Sequence, residues 1–185
     1  MILGVGVVDV EGVVYNTPSY KAWASLINRC YNSKTLERNP TYVGCSVCSE
    51  WLIYSNFVEW YDENYVDGWQ LDKDILVAGN KVYAPSTCLY VPGWLNSFVT
   101  ERGRSRGDFP IGVSYDKTRR KYESKCNDPI AKKSVRLGRF DCPLEAHLSW
   151  VAYKMKLVHS IKDSLDEIDH RLYDSLIMRY TNYNV

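Results

Sequence analysis

The chain has 185 residues, of which 45% are hydrophobic and 24% charged, and its formal net charge is +1. That length suits one domain or two small ones, and no apolar run approaches the roughly 20 residues that a membrane-spanning helix needs. The apolar start, residues 1–8, lacks the basic head of a signal peptide. We therefore expect a cytoplasmic protein without a membrane partner, in which these residues form a strand or an extended arm.

The small net charge hides an uneven distribution. Residues 1–100 carry 6 Lys/Arg against 10 Asp/Glu, residues 101–140 carry 12 against 5, and residues 141–185 carry 5 against 7. A basic segment of this kind attracts a polyanion through Coulomb steering and the release of counterions. We expect nucleic acid as the partner, and a solvated basic surface is the alternative.

The first half is predicted to alternate between helices and short strands. Trp23, Leu26, Ile27 and Cys30 have helical spacing, which predicts a helix over residues 20–31. The other predicted elements are a helix over 49–61, a strand over 71–77, a turn at Gly79-Asn80, short strands at 82–83 and 89–91, and a helix over 93–98.

Gly, Ser and Arg alternate over residues 100–108, which leaves too little apolar surface for this segment to fold alone. We interpret it as a linker in which Arg102, Arg104 and Arg106 are available to bind phosphate. The elements predicted beyond it are strands over 112–115, 121–126 and 134–140, a helix opened by Pro143, and a last helix over about 164–180.

Motifs that occur in a fixed order connect the first half to a known enzyme family. The most specific are Leu71-Asp72-Lys73-Asp74, Gly79-Asn80-Lys81, Cys88-Leu89-Tyr90-Val91-Pro92 and Asn96. They follow Tyr20, Trp23, Arg29-Cys30, Pro40-Thr41-Tyr42, Cys45, Cys48, Glu50-Trp51, Asn56-Phe57 and Trp60. Residues 20–98 therefore resemble phage-encoded HNH (His-Me finger) homing endonucleases, of the kind that also carry a plant-type DNA-binding domain.

The resemblance implies a ββα-metal hairpin that hydrolyses DNA with a divalent ion, Mg²⁺ or Mn²⁺. In the family pattern an aspartate and a last Asn or His bind the metal, and a central asparagine holds the loop. Carried over to this chain, Asp72 and Asn96 are the metal ligands and Asn80 is the loop-fixing residue. A hard cation with oxygen ligands stabilises charge on the phosphate and on the leaving oxygen.

Lys73 stands where the family has the histidine that activates water. The histidines of this chain, His147, His159 and His170, all lie outside this half. A lysine with an ordinary pKa of about 10.4 is a poor base at neutral pH unless burial or nearby positive charge lowers that pKa. Asp74 is an alternative base or a second metal ligand, and Lys73 alternatively neutralises charge on the phosphate. The remaining interpretations are a surface turn and an inactive, degenerate nuclease.

Cysteines in the first half suggest a structural metal. Cys45 and Cys48 form a C-x-x-C pair, which in a cytosolic protein is more often a zinc or redox site than a disulfide. With Cys30 and Cys88 they form a candidate four-thiolate Zn²⁺ site that ties the leading helix to the hairpin. Buried free cysteines are the alternative.

A second set of motifs falls in the basic segment. It consists of Gly112-Val113, Tyr122, Ser124, Cys126, Leu137-Gly138-Arg139-Phe140 and Glu145-Ala146. Residues 110–158 therefore resemble the plant ethylene-response-factor type of DNA-binding domain, with Ser124 and Cys126 in place of the usual Ala and Ile. The resemblance implies a three-stranded antiparallel sheet, backed by a helix, that reads double-stranded DNA.

Strand alternation predicts which side chains of this sheet face the helix and which face outward. The inward set is Val113, Tyr122, Ser124, Cys126, Val135, Leu137 and Phe140, and the outward set is Ser114, Lys121, Glu123, Lys125, Ser134 and Arg136. A sheet can enter the major groove, where arginine offers a planar fork to guanine or phosphate. The expected DNA contacts are Arg119, Arg120, Lys125 and Arg136, with Ser114 and Lys121 beside them and Lys132 and Lys133 on phosphate.

Together these features predict an α+β protein. Its parts are an HNH-like, zinc-tied nuclease domain over 1–99, a basic linker over 100–109, an ethylene-response-factor-like domain over 110–160 and a C-terminal helix over 161–185. The leading hypothesis is a homing-type endonuclease of double-stranded DNA that acts as a monomer or homodimer. A non-cleaving DNA-binding regulator or inhibitor derived from such a nuclease is the alternative, and a zinc-stabilised module that binds an acidic protein is a third hypothesis.

Overall fold

The computed structural model describes residues 1–12, 15–100, 108–129 and 131–184. Over these residues the chain has seven α-helices and seven β-strands, which confirms the predicted α+β class. The chain divides into two compact units, Met1–Pro92 and Gly93–Val185. Throughout the described ranges, no helix has the length and apolar character needed to cross a bilayer.

The first unit combines three helices with two small sheets. Its elements are α1 (Pro18–Tyr31), α2 (Ser33–Arg38), β1 (Ser46–Val47), α3 (Tyr54–Asn64), β2 (Gln70–Asp72), β3 (Val82–Tyr83) and β4 (Leu89–Val91). Strands β1 and β3 pair in parallel, and β2 and β4 pair antiparallel. Aromatic rings dominate the core between the helices and strands, with Trp23, Trp51 and Phe57 fully buried.

Local sequence signals explain helix α1. The Thr17 side chain accepts a hydrogen bond from the Tyr20 N–H, and Pro18 occupies the first turn, where it loses no helical hydrogen bond. The predicted apolar stripe is buried, and the indole of Trp23 donates to the Trp51 carbonyl at 2.7 Å. The predicted helix is therefore confirmed.

The helix predicted over residues 49–61 is wrong at Ile53, where the backbone is extended. Val7 pairs with this point of the chain. Its N–H donates to the Leu52 carbonyl at 2.8 Å, and its carbonyl accepts from the Tyr54 N–H at 2.9 Å. These two bonds separate a short 3-10 turn from α3, so a segment distant in sequence breaks the helix.

Strands β2 and β4 are held in register with Leu71 opposite Tyr90 and Asp72 opposite Leu89. The strand predicted over 71–77 is wrong beyond Asp72. It ends there because the Asp72 carboxylate bonds to the backbone of the residues that follow and turns the chain away from the sheet. The same turn defines the candidate site of this unit.

The second unit is a three-stranded sheet with helices packed on it. Its elements are α4 (Gly93–Val99), β5 (Val113–Asp116), β6 (Lys121–Asp128), β7 (Lys133–Phe140), α5 (Pro143–Ser160), α6 (Lys162–Ile168) and α7 (Leu172–Thr181). The strands form one antiparallel sheet in the order β5-β6-β7, which confirms the predicted sheet. Val113, Ser124 and Cys126 are buried on the face that α5 covers, as their alternation predicted.

The last helix predicted over about 164–180 is wrong, because α6 and α7 replace it. Between them Asp169 is extended, and its carboxylate accepts hydrogen bonds from the N–H and guanidinium of Arg171. A short polar side chain bonded to nearby backbone competes with helix formation. Helix α7 restarts at Leu172, whose N–H donates to the Asp169 carbonyl at 3.0 Å.

Candidate functional site

Asp72 forms a tight turn at the end of β2. Its Oδ1 accepts hydrogen bonds from the Asp74 N–H at 2.7 Å and from the Ile75 N–H at 2.8 Å. Ile75 is 1% exposed and anchors the far side of the turn in the interior. The carboxylate of Asp72 is therefore held in one orientation by its own backbone.

The environment of Asp72 disfavours a bare negative charge. Burial, and then the neighbouring Asp74 carboxylate, raises the pKa of Asp72 to about 6. A carboxylate held near a second carboxylate is stabilised by a bound cation, and Mg²⁺ sites in proteins commonly use only one or two carboxylates. The pair offers carboxylate oxygens, the ligand type that a hard divalent ion uses, and Asp72 is its fixed member.

Lys73 lies beside these carboxylates. Its Nζ is 3.5 Å from Asp74 Oδ2 and 5.8 Å from the centroid of the Tyr83 ring. The side chain of Lys73 is 12% exposed, so the amine lies against the protein rather than in open solvent. Its position suits neutralisation of negative charge at this turn.

Asn80 ties the two ends of the loop that follows Asp72. Its Nδ2 donates to the Lys73 carbonyl at 2.6 Å and to the Val82 carbonyl at 2.7 Å, and its Oδ1 accepts from the Val82 N–H. Gly79 precedes it with φ of +78°, a backbone conformation that favours glycine. The amide of Asn80 thus fixes the peptide that joins Lys73 to Asp74.

Asn96, the second predicted metal ligand, lies on α4 and belongs to the second unit. Its backbone carbonyl accepts hydrogen bonds from the N–H of Thr100 at 3.0 Å and from its hydroxyl at 2.7 Å. The carboxylates that the first unit itself brings together are Asp72 and Asp74.

The four cysteines predicted to bind zinc belong to the core of the first unit. Cys30, Cys45 and Cys88 are buried, and Cys48 is partly buried against the same core. Burial is the main cause that raises the pKa of the Cys30 and Cys88 thiols to about 12. Within the described ranges, no three His, Cys, Asp or Glu side chains are arranged to hold a metal. A zinc ion at these cysteines stays a prediction.

A cluster of charged side chains covers the outer face of the second unit's sheet. Glu123 lies at its centre, with only 7% of its surface exposed. Its carboxylate pairs with Lys125 Nζ at 2.5 Å, with Arg136 Nε at 2.5 Å and with an Arg139 guanidinium nitrogen at 3.6 Å. The hydrogen bond from Lys125 and the charges of the two arginines hold the pKa of Glu123 below its usual value. We call these four residues the Glu123 cluster.

A β-bulge creates the Glu123 cluster. Lys125 is opposite Arg136 and Glu123 is opposite Arg139, so Leu137 is the extra residue of β7 between these two pairs. The bulge reverses the alternation of side chains, and Arg136 and Arg139 therefore share the outer face. Arg139 was not among the predicted contacts. Strict alternation puts residues three apart on opposite faces, yet Leu137 and Phe140 were both predicted to face inward. That conflict could have revealed the bulge and the outward direction of Arg139.

The hairpin between β5 and β6 presents two more arginines. Asp116 Oδ1 accepts from the N–H groups of Thr118 and Arg119, and its Oδ2 lies 3.3 Å from the Arg119 guanidinium. Arg120 has φ of +53°, a left-handed conformation that costs free energy for any residue with a β-carbon. Arg120 is exposed at this turn, so its guanidinium is accessible to a ligand.

No protein-family model, curated protein or solved structure matches the chain.

The remaining predicted DNA contacts are distributed around the Glu123 cluster. Ser114, Lys132 and Lys133 are exposed, and Lys121 forms an ion pair with Asp141. The predicted linker residues Arg102, Arg104 and Arg106 lie outside the described residues.

Proposed function

We propose that this protein binds double-stranded DNA through the outer face of its three-stranded sheet. The Glu123 cluster carries this proposal. Glu123 holds Arg136 and Arg139 on one face, so both guanidinium groups are oriented before DNA arrives. Oriented arginine forks suit guanine edges and phosphates, and their fixed positions reduce the entropy lost on binding.

Fluorescence anisotropy with labelled duplex DNA tests this proposal. The Arg136→Gln variant is expected to bind about tenfold more weakly, which corresponds to about 1.4 kcal/mol. Lys156→Gln, which removes one positive charge from an exposed position of α5, is the matched control and should bind like wild type. Equal affinities for all three proteins would exclude the sheet face as the contact surface.

We further propose that the Asp72 turn cleaves the bound DNA, which makes the protein an endonuclease of the homing type. The raised pKa of Asp72 beside Asp74, together with the loop fixed by Asn80, supports this step. A divalent ion such as Mg²⁺ or Mn²⁺, held by Asp72 with Asp74, would supply charge stabilisation at the phosphate. Asp72 orients that charge, and Lys73 adds a positive charge next to it.

Incubation with supercoiled DNA tests cleavage, with Mg²⁺ or Mn²⁺ in one arm and EDTA in the other. Wild type is expected to nick or cut only with metal, and Asp72→Asn should lose cleavage while it keeps duplex affinity. Asp62→Asn neutralises an exposed carboxylate of α3 and is the matched control. Cleavage that survives in Asp72→Asn would refute the assignment of this turn.

The alternative function is a non-cleaving DNA-binding regulator derived from such a nuclease. Lys73 favours it, because the position of the family's water-activating histidine holds a cationic side chain, and residues 1–92 contain no histidine. Salt-sensitive duplex binding without metal-dependent nicks would decide for this alternative.

A zinc ion bound by Cys30, Cys45, Cys48 and Cys88 remains a separate proposal. Elemental analysis of the purified protein would then find about one zinc per chain. A folded protein free of zinc would rule it out.

A further inference from the structure

The second unit contains a cavity of about 640 Å³. Helix α4, the ends of β6 and β7, and helix α5 bound it. Strand β6 continues to Asp128, whereas its pairing with β5 ends at Ser124, opposite Val113, so β5 leaves the last residues of β6 unpaired on that side. Ligand sites in proteins commonly have volumes of about 300–1,000 Å³. The cavity is therefore large enough for a small organic ligand.

Positive side chains dominate the lining of the cavity. Four lysines contribute to it, Lys125, Lys132, Lys133 and Lys154, and Asp128 is the one carboxylate among the described lining residues. Lys125 is paired with Glu123 and Lys154 donates to the Phe98 carbonyl, so Lys132 and Lys133 supply the remaining positive charge. The Asp128 carboxylate already accepts hydrogen bonds from the Ala131 N–H at 2.8 Å and from the Tyr153 hydroxyl at 2.9 Å. The charge of the lining therefore favours an anionic ligand.

Lys132 and Lys133 are adjacent, exposed residues of this lining. Neither forms an ion pair with any residue that the structure describes. Lys132 has φ of +50°, an unfavourable backbone conformation for a residue with a β-carbon. Adjacent exposed ammonium groups suit a phosphate, which accepts several charge-assisted hydrogen bonds.

Aromatic side chains form the apolar part of the lining. Trp94 on α4 is 39% exposed, and the lining residues Phe98 and Trp150 are buried. Lys154 fixes α4 here, because its Nζ donates to the Phe98 carbonyl at 2.6 Å and lies 3.7 Å from the centroid of the Phe98 ring. A half-exposed indole on a fixed helix is a suitable surface for a planar ring.

We propose that this cavity binds a single nucleotide, with the phosphate on Lys132 and Lys133 and the base stacked on Trp94. A basic surface beside an exposed aromatic ring is how proteins bind unpaired nucleotides, with about 1–3 kcal/mol per stacked base. This inference rests on the proposed DNA-binding function and adds to it a site for one unpaired nucleotide. A free mononucleotide presents the same chemistry.

Calorimetric titration of the full chain tests the cavity with four probes: dAMP, inorganic phosphate, a single-stranded oligonucleotide of eight adenines, and a duplex. Wild type is expected to bind dAMP at least about tenfold more tightly than phosphate, which corresponds to about 1.4 kcal/mol from the base. Lys133→Gln should weaken dAMP about threefold to tenfold, and Lys156→Gln should leave it unchanged. Trp94→Leu should reduce the affinity for dAMP to that for phosphate, and Trp94→Phe should retain most of it.

The two sources of the nucleotide give different results. Tighter binding of the oligonucleotide than of dAMP would identify unpaired DNA as the ligand, and equal binding would identify a free nucleotide; both support the cavity. Equal affinity for dAMP and phosphate, or no binding of dAMP and the oligonucleotide, overturns it. If neither dAMP nor the oligonucleotide binds but the duplex does, the cavity proposal fails and the proposed binding of double-stranded DNA stands. If dAMP binds and the duplex does not, the cavity proposal stands and the proposed binding of double-stranded DNA fails.

Discussion

The backbone of Gly112 lies against the indole of Trp150 so closely that a β-carbon at position 112 would meet the ring at 2.2 Å. Gly112 also has φ of +81°, which a residue with a β-carbon rarely adopts. The contact lies where the start of β5 meets α5, and Trp150 is 5% exposed there. This position of the sheet on its helix depends on the absence of a side chain.

Gly112→Ala is therefore expected to destabilise the second unit by about 2–4 kcal/mol, from backbone strain of about 1 kcal/mol together with displacement of the indole. Gly68→Ala is the comparison, because Gly68 has φ of +76° with nothing within 4 Å of the added β-carbon. Urea unfolding monitored by circular dichroism measures both variants. Similar losses of stability in the two variants would show that the close approach to Trp150 adds nothing to the cost of the positive φ.

Replacement of Arg120 by glycine is expected to separate stability from binding. The φ of +53° at Arg120 suits glycine better than arginine, so the variant should be as stable as wild type or more stable by up to about 1 kcal/mol. Its affinity for duplex DNA should fall severalfold, because one exposed guanidinium is lost. Thermal unfolding and anisotropy measure the two effects. A variant that binds normally would show that the hairpin tip does not contact DNA.

Glu123 is expected to give the sheet a pH-dependent stability. The pKa of Glu123 is lowered in the folded protein, so its stabilising contribution is present above the ordinary value of 4.5 and is lost as the pH falls through the lower folded value. The partners are largely solvent-exposed, so that contribution should be about 1 kcal/mol or less.

Glu123→Gln should accordingly be less stable than wild type at pH 7, and the difference should shrink below pH 4.5. Urea unfolding at pH 7, 5 and 3 measures it. Glu167→Gln, at an exposed position of α6, should differ little from wild type across this range. A difference for Glu123→Gln that stays constant with pH would contradict the proposed role of its ion pairs.

Asn80→Asp is expected to damage the loop more than Asn80→Ala. The aspartate cannot donate to the Lys73 and Val82 carbonyls and places negative charge against both, whereas alanine only removes the bonds. A loss of about 2 kcal/mol is expected for Asn80→Asp, with abolished metal-dependent cleavage. Urea unfolding and the supercoiled DNA assay check the two effects. Greater stability of the aspartate variant would mean that the carbonyl contacts are unimportant.

Elements whose pattern is local could be predicted from the sequence. Helix α1 has its own cap and apolar stripe, and the three strands of the second unit follow their alternating sequence pattern except at the bulge. The breaks could not be predicted, because side chains and distant segments cause them. Val7 interrupts the second helix at Ile53, and the carboxylates of Asp72 and Asp169 each turn the backbone.

The candidate sites, too, could be predicted from the sequence only in part. Asp72, Lys73, Asp74 and Asn80 were recognised from two motifs close together in the sequence, and the structure groups them around one loop. Arg139 was missed, because a bulge of one residue changes the face of every side chain beyond it. The cavity was missed as well, since its walls come from four elements that no short motif joins.

The buried thiols allow the local opening of each unit to be measured separately. Burial raises the pKa of Cys30 and Cys88 to about 12 and that of Cys126 in the second unit to about 11, so these thiols stay protonated at neutral pH. An alkylating reagent that attacks thiolates will therefore modify these residues chiefly in molecules whose surrounding structure has opened. Mass spectrometry of the modified peptides would then measure how often each unit opens, without a probe added to the chain.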